Sequence, residues 1–310
     1  MNKMILKNFI GKILLLILPI IILYTVLFYS GYWPVLSNSI SFDAKAYELN
    51  RINLKHTDIL AIGSSVALND LNTQIIKDNS SLSYYNFASW NLQIEDDYLL
   101  LKHYVFKYKP KYVMLLSTMH DFTFEPNTSL PANLDLGGQM LGYYYIKNFA
   151  NLHEIIKRKN ALDLSTEDNN RYDCLKFDNG GGVELQLTTL SPKRLKEYLG
   201  DFPNKKNTPK AYQSLINLSR FLEYRQVKLI YIQAPYRKNF VTSQALNDSV
   251  NIHFARCKFI IESNGGTYLN YHDFFAPTDS VMYVDPSHLS GVGSKVFTRK
   301  VMQDLKGITN

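Results

Sequence analysis

Two cysteines, Cys174 and Cys257, are the only thiols in this 310-residue chain. Neither belongs to a Cys-x-x-Cys pair, and no Cys or His spacing matches a zinc site. That argues against a structural zinc centre and a redox dithiol, and no metal or cofactor is expected. His253, and His272 beside Asp273, read as packed or solvent-facing histidines rather than ligands. An oxidising compartment would permit a Cys174–Cys257 disulfide; two separate buried thiols fit the sequence equally well. Internal repeats and extended low-complexity tracts are also absent. The net charge of +7 comes from 34 basic against 27 acidic residues. Its local clusters, Lys157-Arg158-Lys159 and Lys205-Lys206, lack the interleaved aromatics of a nucleic-acid groove, so nucleic acid is not an expected partner. What remains is an ordinary globular balance, 46% hydrophobic and 20% charged, long enough for one large domain plus an appendage.

The appendage is the beginning. Lys3, Lys7 and Lys12 precede an uncharged, apolar run over residues 13–29 in which Pro19 is the only helix breaker. As a helix that run rises roughly 25 Å, the lower limit for crossing a bilayer. Extending it to residue 33 adds the interfacial aromatics Tyr32 and Trp33. The lysines are expected in the cytoplasm and the remainder of the chain outside it, as a single-pass membrane protein with its main body periplasmic or at the cell surface. A cleaved signal peptide has a shorter apolar core and a small-x-small cleavage site, which does not follow here. The expected organisation is therefore a cytoplasmic stub and transmembrane anchor over residues 1–33, a polar linker of weak helical character over 34–54 and a domain over 55–310.

Within that domain short apolar runs alternate with helical stretches. Strands are expected near residues 59–62, 83–87, 112–116, 228–233 and 267–269. Helices are expected over 66–77, 95–108, 210–224, 244–263 and 290–305. The 95–108 stretch places Tyr98, Leu101, Tyr104 and Val105 on one face. Alternation of this kind gives an α/β fold, a parallel sheet with right-handed crossovers and helices on both faces. Residues 121–207 interrupt the rhythm with a short apolar helix near 145–157 and a glycine-bearing polar stretch around 178–182. They are read as an insertion over the carboxyl edge of the sheet, where a lid or recognition surface belongs.

Two segments carry chemistry. Near the end, Asp285 stands three residues before His288 in a polar turn ahead of a helix. A carboxylate so placed bends back to one imidazole nitrogen and leaves the other free as a base. Far upstream, the 59–62 strand ends in Gly63-Ser64-Ser65. A serine at a strand-to-helix turn stands at the carboxyl edge of an open α/β sheet, where ligands bind. The expected catalytic group is Ser65 as nucleophile, His288 as base and Asp285 as its orienting carboxylate. A helix cap at Ser64 or Ser65, and a turn cap at Asp285, are the competing structural roles.

In order along the chain, Gly63-Ser64-Ser65, Asn86-Phe87-Ala88-Ser89-Trp90, Ser117-Thr118-Met119-His120-Asp121 and Asp285-Pro286-Ser287-His288 resemble the blocks of the SGNH, or GDSL-like, hydrolases. The resemblance implies a flavodoxin-like three-layer α/β/α sandwich and acyl ester hydrolysis or acyl transfer. The Gly-Ser-Ser form, with Ser64 where Asp is common, resembles membrane-anchored members that act on envelope polymers. By the same resemblance Ser89, Trp90 and His120 fall at the oxyanion and substrate-binding positions. The second block lacks its usual glycine, and His120 replaces the usual asparagine. Each lost oxyanion donor typically costs about 10²–10³ in rate.

The function expected is a serine-dependent O-acyl, notably acetyl, esterase or acyltransferase acting on cell-envelope or exported polysaccharide. Its partners would be an acylated carbohydrate or polymer, the membrane and a membrane-bound acyltransferase. The altered blocks leave a second reading, a non-catalytic envelope protein of the same fold that binds glycan or such a partner.

Overall fold

A computed structural model of the chain describes residues 3–123, 138–148, 151–167, 170–187, 207–237, 244–276 and 278–307. Lys205 and Lys206 lie outside the described residues.

Five parallel strands form one sheet in the order β2-β1-β3-β4-β5. They are β1 Ile59–Gly63, β2 Tyr84–Asn86, β3 Tyr112–Ser117, β4 Lys228–Gln233 and β5 Thr267–Asn270. The order starts at the second strand, passes to the first and then runs outward. This is the flavodoxin-like pattern, which puts the switch point at the carboxyl end of β1. β1 is buried at every residue, as a central parallel strand covered on both faces must be. Its alternate side chains feed two cores. Ile59 and Ala61 join Met114, Leu116, Ile230 and Ile232 on one face. Leu60 and Ile62 join Val113, Leu115, Leu229 and Tyr231 on the other.

Helices cover both faces. The first is covered by α3 Ser65–Asp70, α4 Thr73–Asn79 and α10 Gly291–Leu305, through Val66, Leu68, Ile76, Phe297 and Val301. The second is covered by α5 Ile94–Tyr108, α8 Pro209–Tyr224 and α9 Gln244–Glu262, through Leu101, Leu215 and Ile261. Caps set several starts. Thr208 and Ser290 accept from Ala211 and Gly293 N–H, and Pro209 opens α8 where its missing N–H costs nothing. The stretch expected as one helix over 66–77 is two. Leu71 is extended, Asn72 caps α4 by accepting from Ile75 N–H, and its own N–H bonds Thr298 Oγ1 on α10 at 2.9 Å.

The region before residue 55 departs further from expectation. α1 spans Lys3–Tyr29, and its Leu6–Tyr29 portion is long and apolar enough to cross a membrane. Residues 34–54 do not form a polar connection. They contain α2 Ile40–Ile52, whose Phe42 and Leu49 enter the second core. Two of its charges are buried with distant partners. Lys45 Nζ donates to the Asn86 carbonyl at 3.0 Å and to the Gly181 carbonyl, with the Phe177 ring 4.1 Å away. Burial pulls the Lys45 pKa down to about 7. Asp43 accepts from Arg158 at 2.6 Å and from Ser37 Oγ at 2.8 Å.

The described insertion contains α6 Gly138–Lys147 and α7 Leu152–Glu167, where one helix near 145–157 was expected. The hairpin packs on the exit end of α1. After it, residues 172–185 cross the first face beside α3 and α4. Val183 N–H bonds the Leu68 carbonyl, and Leu185 carbonyl accepts from Gly291 N–H. Cys174 and Cys257 are free and buried in different cores.

Candidate active site

The site forms at the carboxyl end of β1. Gly63 has φ +132°, and a Cβ there would lie 2.3 Å from the Leu116 carbonyl oxygen, so only glycine lets the chain turn against β3. The turn makes Ser64 the N-cap and Ser65 the first residue of α3. The Ser65 N–H therefore has no intrahelical carbonyl to bond.

Ser65 Oγ stands 2.8 Å from His288 Nε2. The other ring nitrogen, Nδ1, is 2.7 Å from Asp285 Oδ2. The second Asp285 oxygen accepts from the backbone N–H groups of Ser287 and His288 at 2.7 and 2.8 Å. This explains the local spacing: the turn that presents the imidazole is wrapped around the carboxylate that steers it. Burial pushes the Asp285 carboxyl up. The adjacent imidazole and the bonds from His288, Tyr172 and Ser287 outweigh burial and hold the pKa at about 2. Burial likewise opposes the imidazolium, but the adjacent Asp285 carboxylate outweighs it and leaves His288 above its ordinary 6.5. The base is thus electrostatically primed to take a proton.

A cavity of about 350 Å³ opens over the Ser65 hydroxyl. Trp90, Asn91, His120, Tyr172, Tyr236 and Asn69 are among its lining residues. Ser89 is not. It is fully buried, its hydroxyl bonds Ser41 Oγ at 2.9 Å and its N–H bonds the Gly63 carbonyl at 3.2 Å. Trp90 reaches the cavity, but its N–H points to Ser41 Oγ at 3.2 Å. Neither amide faces a developing oxyanion. The next residue, Asn91, carries a left-handed φ of +59°, and no hydrogen bond of its N–H is seen among the described residues. Glycine and asparagine are the residues that tolerate this conformation. The backbone shape associated with a second-block glycine is thus present one position beyond Trp90.

His120 lines the cavity from a 3-10 turn, Met119–Phe122. Asp121 also borders the cavity, and it builds that turn. Its carboxylate accepts from Thr118 N–H at 2.7 Å and Ser117 Oγ at 3.0 Å, completing a capping box. His253 is buried between Tyr212 and Phe122, and burial lowers its pKa to about 3. No group of three or more His, Cys, Asp or Glu residues suited to a metal occurs among the described residues.

Tyr172 escaped the sequence reading. Its hydroxyl donates to Asp285 Oδ2 at 2.6 Å and lies 3.0 Å from His288 Nδ1. It comes from the insertion, more than a hundred positions from both partners, and no local pattern marks it. Asn69 was also missed. It lies one helical turn beyond Ser65, and its side-chain oxygen is buried without a hydrogen-bond partner among the described residues.

No protein-family profile and no curated protein sequence matches the chain. Solved structures resemble it remotely. A Streptococcus pneumonia protein described as a candidate platelet activating factor is 11% identical, with 87% of this chain and 91% of that chain covered at a TM-score of 0.47. A lipase/acylhydrolase from Enterococcus faecalis is 12% identical, with 80% and 95% covered at a TM-score of 0.44. An acetylxylan esterase from Geobacillus stearothermophilus, in a catalytic mutant, is 10% identical, with 81% and 94% covered at a TM-score of 0.44. The chemistry of the site rests on its own geometry.

Proposed function

We propose that this chain is a membrane-anchored serine esterase or O-acyltransferase that acts outside the cytoplasm on acylated envelope or exported polysaccharide. The observation that carries the reading is the unbroken Ser65–His288–Asp285 relay, with contacts of 2.8 and 2.7 Å. A serine hydroxyl is a weak nucleophile until a base within hydrogen-bond reach removes its proton.

In the first half-reaction His288 Nε2 takes the Ser65 proton as Oγ bonds the acyl carbonyl carbon. The carbonyl electron pair moves to oxygen. That oxyanion would be met by the N–H groups of Ser65 and Asn91 and by the His120 imidazole. Collapse breaks the ester bond, and His288 returns the proton to the departing sugar oxygen. In the second half-reaction His288 deprotonates the acceptor as its oxygen bonds the acyl carbon, and the proton passes to Ser65 Oγ as the acyl–serine bond breaks. Water gives hydrolysis; a second sugar hydroxyl gives transfer. The aromatic rings of Trp90, Tyr172 and Tyr236 around the cavity suit a sugar substrate.

The anchor is part of the reading. Tyr24, Trp33 and Leu36 are buried against α6, α7 and α2, so the end of α1 and the residues after it belong to the fold. Cleavage there would strip those clusters, which favours a retained helix over a removed signal.

The test is Ser65→Ala in the full-length protein, with acetyl-ester turnover and labelling by a serine-directed fluorophosphonate as readouts. Turnover should fall by at least about 10³-fold and labelling should vanish, as for loss of any triad nucleophile. Unchanged turnover would refute the esterase. Absence of label on the unmodified protein would favour a non-catalytic glycan-binding body instead.

A further inference from the structure

We propose that the α6–α7 hairpin is seated in the headgroup layer of the lipid leaflet from which α1 emerges, making a second membrane contact beside the anchor. The proposal rests on α1 crossing a bilayer. The hairpin does not merely sit above the helix exit. Tyr145 stacks on Tyr24 with ring centroids 4.8 Å apart, and Ile155 and Leu152 pack with them against Ile20 and Leu27. Tyr145 hydroxyl donates to the Tyr32 carbonyl at 2.7 Å, and Asn148 Nδ2 donates to the Val35 carbonyl at 3.0 Å. The hairpin therefore grips both the apolar span and the chain leaving it.

Depth follows from helix geometry. The apolar portion of α1 covers 24 residues, Leu6–Tyr29. At 1.5 Å per residue that is about 36 Å, against a hydrocarbon core of about 30 Å. Even if the whole excess protrudes on the hairpin side, Tyr24 stands near the hydrocarbon boundary and Ile20 roughly 6–8 Å below it. The side chains that cover Ile20 and Tyr24 must lie at the same level.

The hairpin's composition suits that level. Tyr143 and Ile146 are 57% and 67% exposed on α6, and Ile156 is 45% exposed on α7. In water Ile146 and Ile156 would be exposed apolar groups beside a helix that is itself apolar. Tyr29 at the end of α1 and Tyr143 on α6 are exposed aromatics of the kind found at membrane interfaces. Lys147 at the end of α6 and Lys157 within α7 are exposed and can meet anionic headgroups. Continuity with the apolar span and this charge complementarity select lipid as the occupant.

The experiment uses the full chain in vesicles of phosphatidylcholine and phosphatidylglycerol. A thiol-reactive fluorophore is placed at Ile146→Cys, at Leu15→Cys within α1, or at Tyr224→Cys, an exposed position at the end of α8. Cys174 and Cys257 are buried and stay unlabelled in the folded protein. Lipids carrying a nitroxide on the acyl chain should quench positions 15 and 146, while aqueous iodide should quench only 224. Quenching at 146 by iodide, with 15 still quenched by lipid, overturns the seat and leaves the anchor standing. Quenching at 146 by neither agent also overturns it, because a second protein copy then covers the face. Loss of lipid quenching at position 15 removes the anchor itself, and the seat with it.

Discussion

The two sides of the candidate site are put together differently. On the proton-relay side, Asp285 and His288 are three residues apart, and the turn between them is closed by their own backbone bonds. Only Ser65 has to be brought from elsewhere, and the close contact of β1 with β3 at Gly63 fixes it. On the electrophilic side nothing is local. The 89–91 turn is pinned by Ser41 from α2, the β2 end by Lys45 of the same helix, and His120 by a capped turn after β3. A relay encoded by spacing survives loose surroundings. An oxyanion site assembled from α2, β2 and β3 depends on packing throughout the domain. The second side should therefore tolerate perturbation of its supports least.

The largest effect expected on that side comes from His120→Ala. Removing an oxyanion donor should lower kcat by about 10²-fold with little change in fluorophosphonate labelling, because the relay is untouched. His120→Asn should recover much of the loss by returning a neutral donor. Equal damage from both variants would mean that the imidazole only fills space. On the relay side the expected effect is smaller. Tyr172→Phe deletes one donor to Asp285, which should cost at most about ten-fold in kcat. Its signature is the pH profile. Activity requires neutral His288, so the rate should rise with pH through a pKa above the ordinary 6.5. Losing the tyrosine proton makes Asp285 a stronger partner for the imidazolium, so the acid limb should move to higher pH still. A variant that loses rate with an unshifted limb would assign Tyr172 to packing alone.

Much of the scaffold was legible because it depends on short-range pattern. The 228–233 strand matches β4, and the 59–62 and 112–116 strands each extend by one residue in β1 and β3. All three are apolar runs bounded by turns. Ser65, Asp285 and His288, which the fold brings within hydrogen-bond distance, were legible for the same reason, since a strand-end serine and an Asp-x-x-His turn are local features. What stayed hidden depends on distant partners. Residues 34–54 look polar because Asp43 and Lys45 are charged, yet both are buried, with partners at 158, 86 and 181. The break at Leu71–Asn72 is set by Thr298, and Tyr172 finds its carboxylate across a hundred positions. Ser89 lies two positions before Asn91 in the same turn and does not line the cavity. The left-handed residue of this turn is Asn91, and the two amides before it are already bonded.

The smallest expected effect on rate, and the one that separates structural support from chemistry on the relay side, concerns Asp70. One oxygen accepts from Leu289 N–H at 2.9 Å, pinning the residue after His288; the other is buried without a hydrogen-bond partner among the described residues. Burial raises its pKa from 3.8 to about 8 against the opposing pull of His288. The folded chain thus keeps a proton that the unfolded chain releases once the pH passes about 4. Between those values the unfolded state binds fewer protons, so this group's contribution to stability falls as pH rises and levels off above about 8. Asp70→Asn keeps an acceptor for Leu289 N–H and cannot ionise. Thermal melts should show the variant gaining on the unmodified protein from pH 4.5 to 7.5, by on the order of 1–3 kcal/mol at the upper end. Fluorophosphonate labelling should persist throughout. A gap that narrows with pH would mean that Asp70 is ionised in the fold and serves His288 as a second carboxylate, and the relay would then hold two counter-charges rather than one.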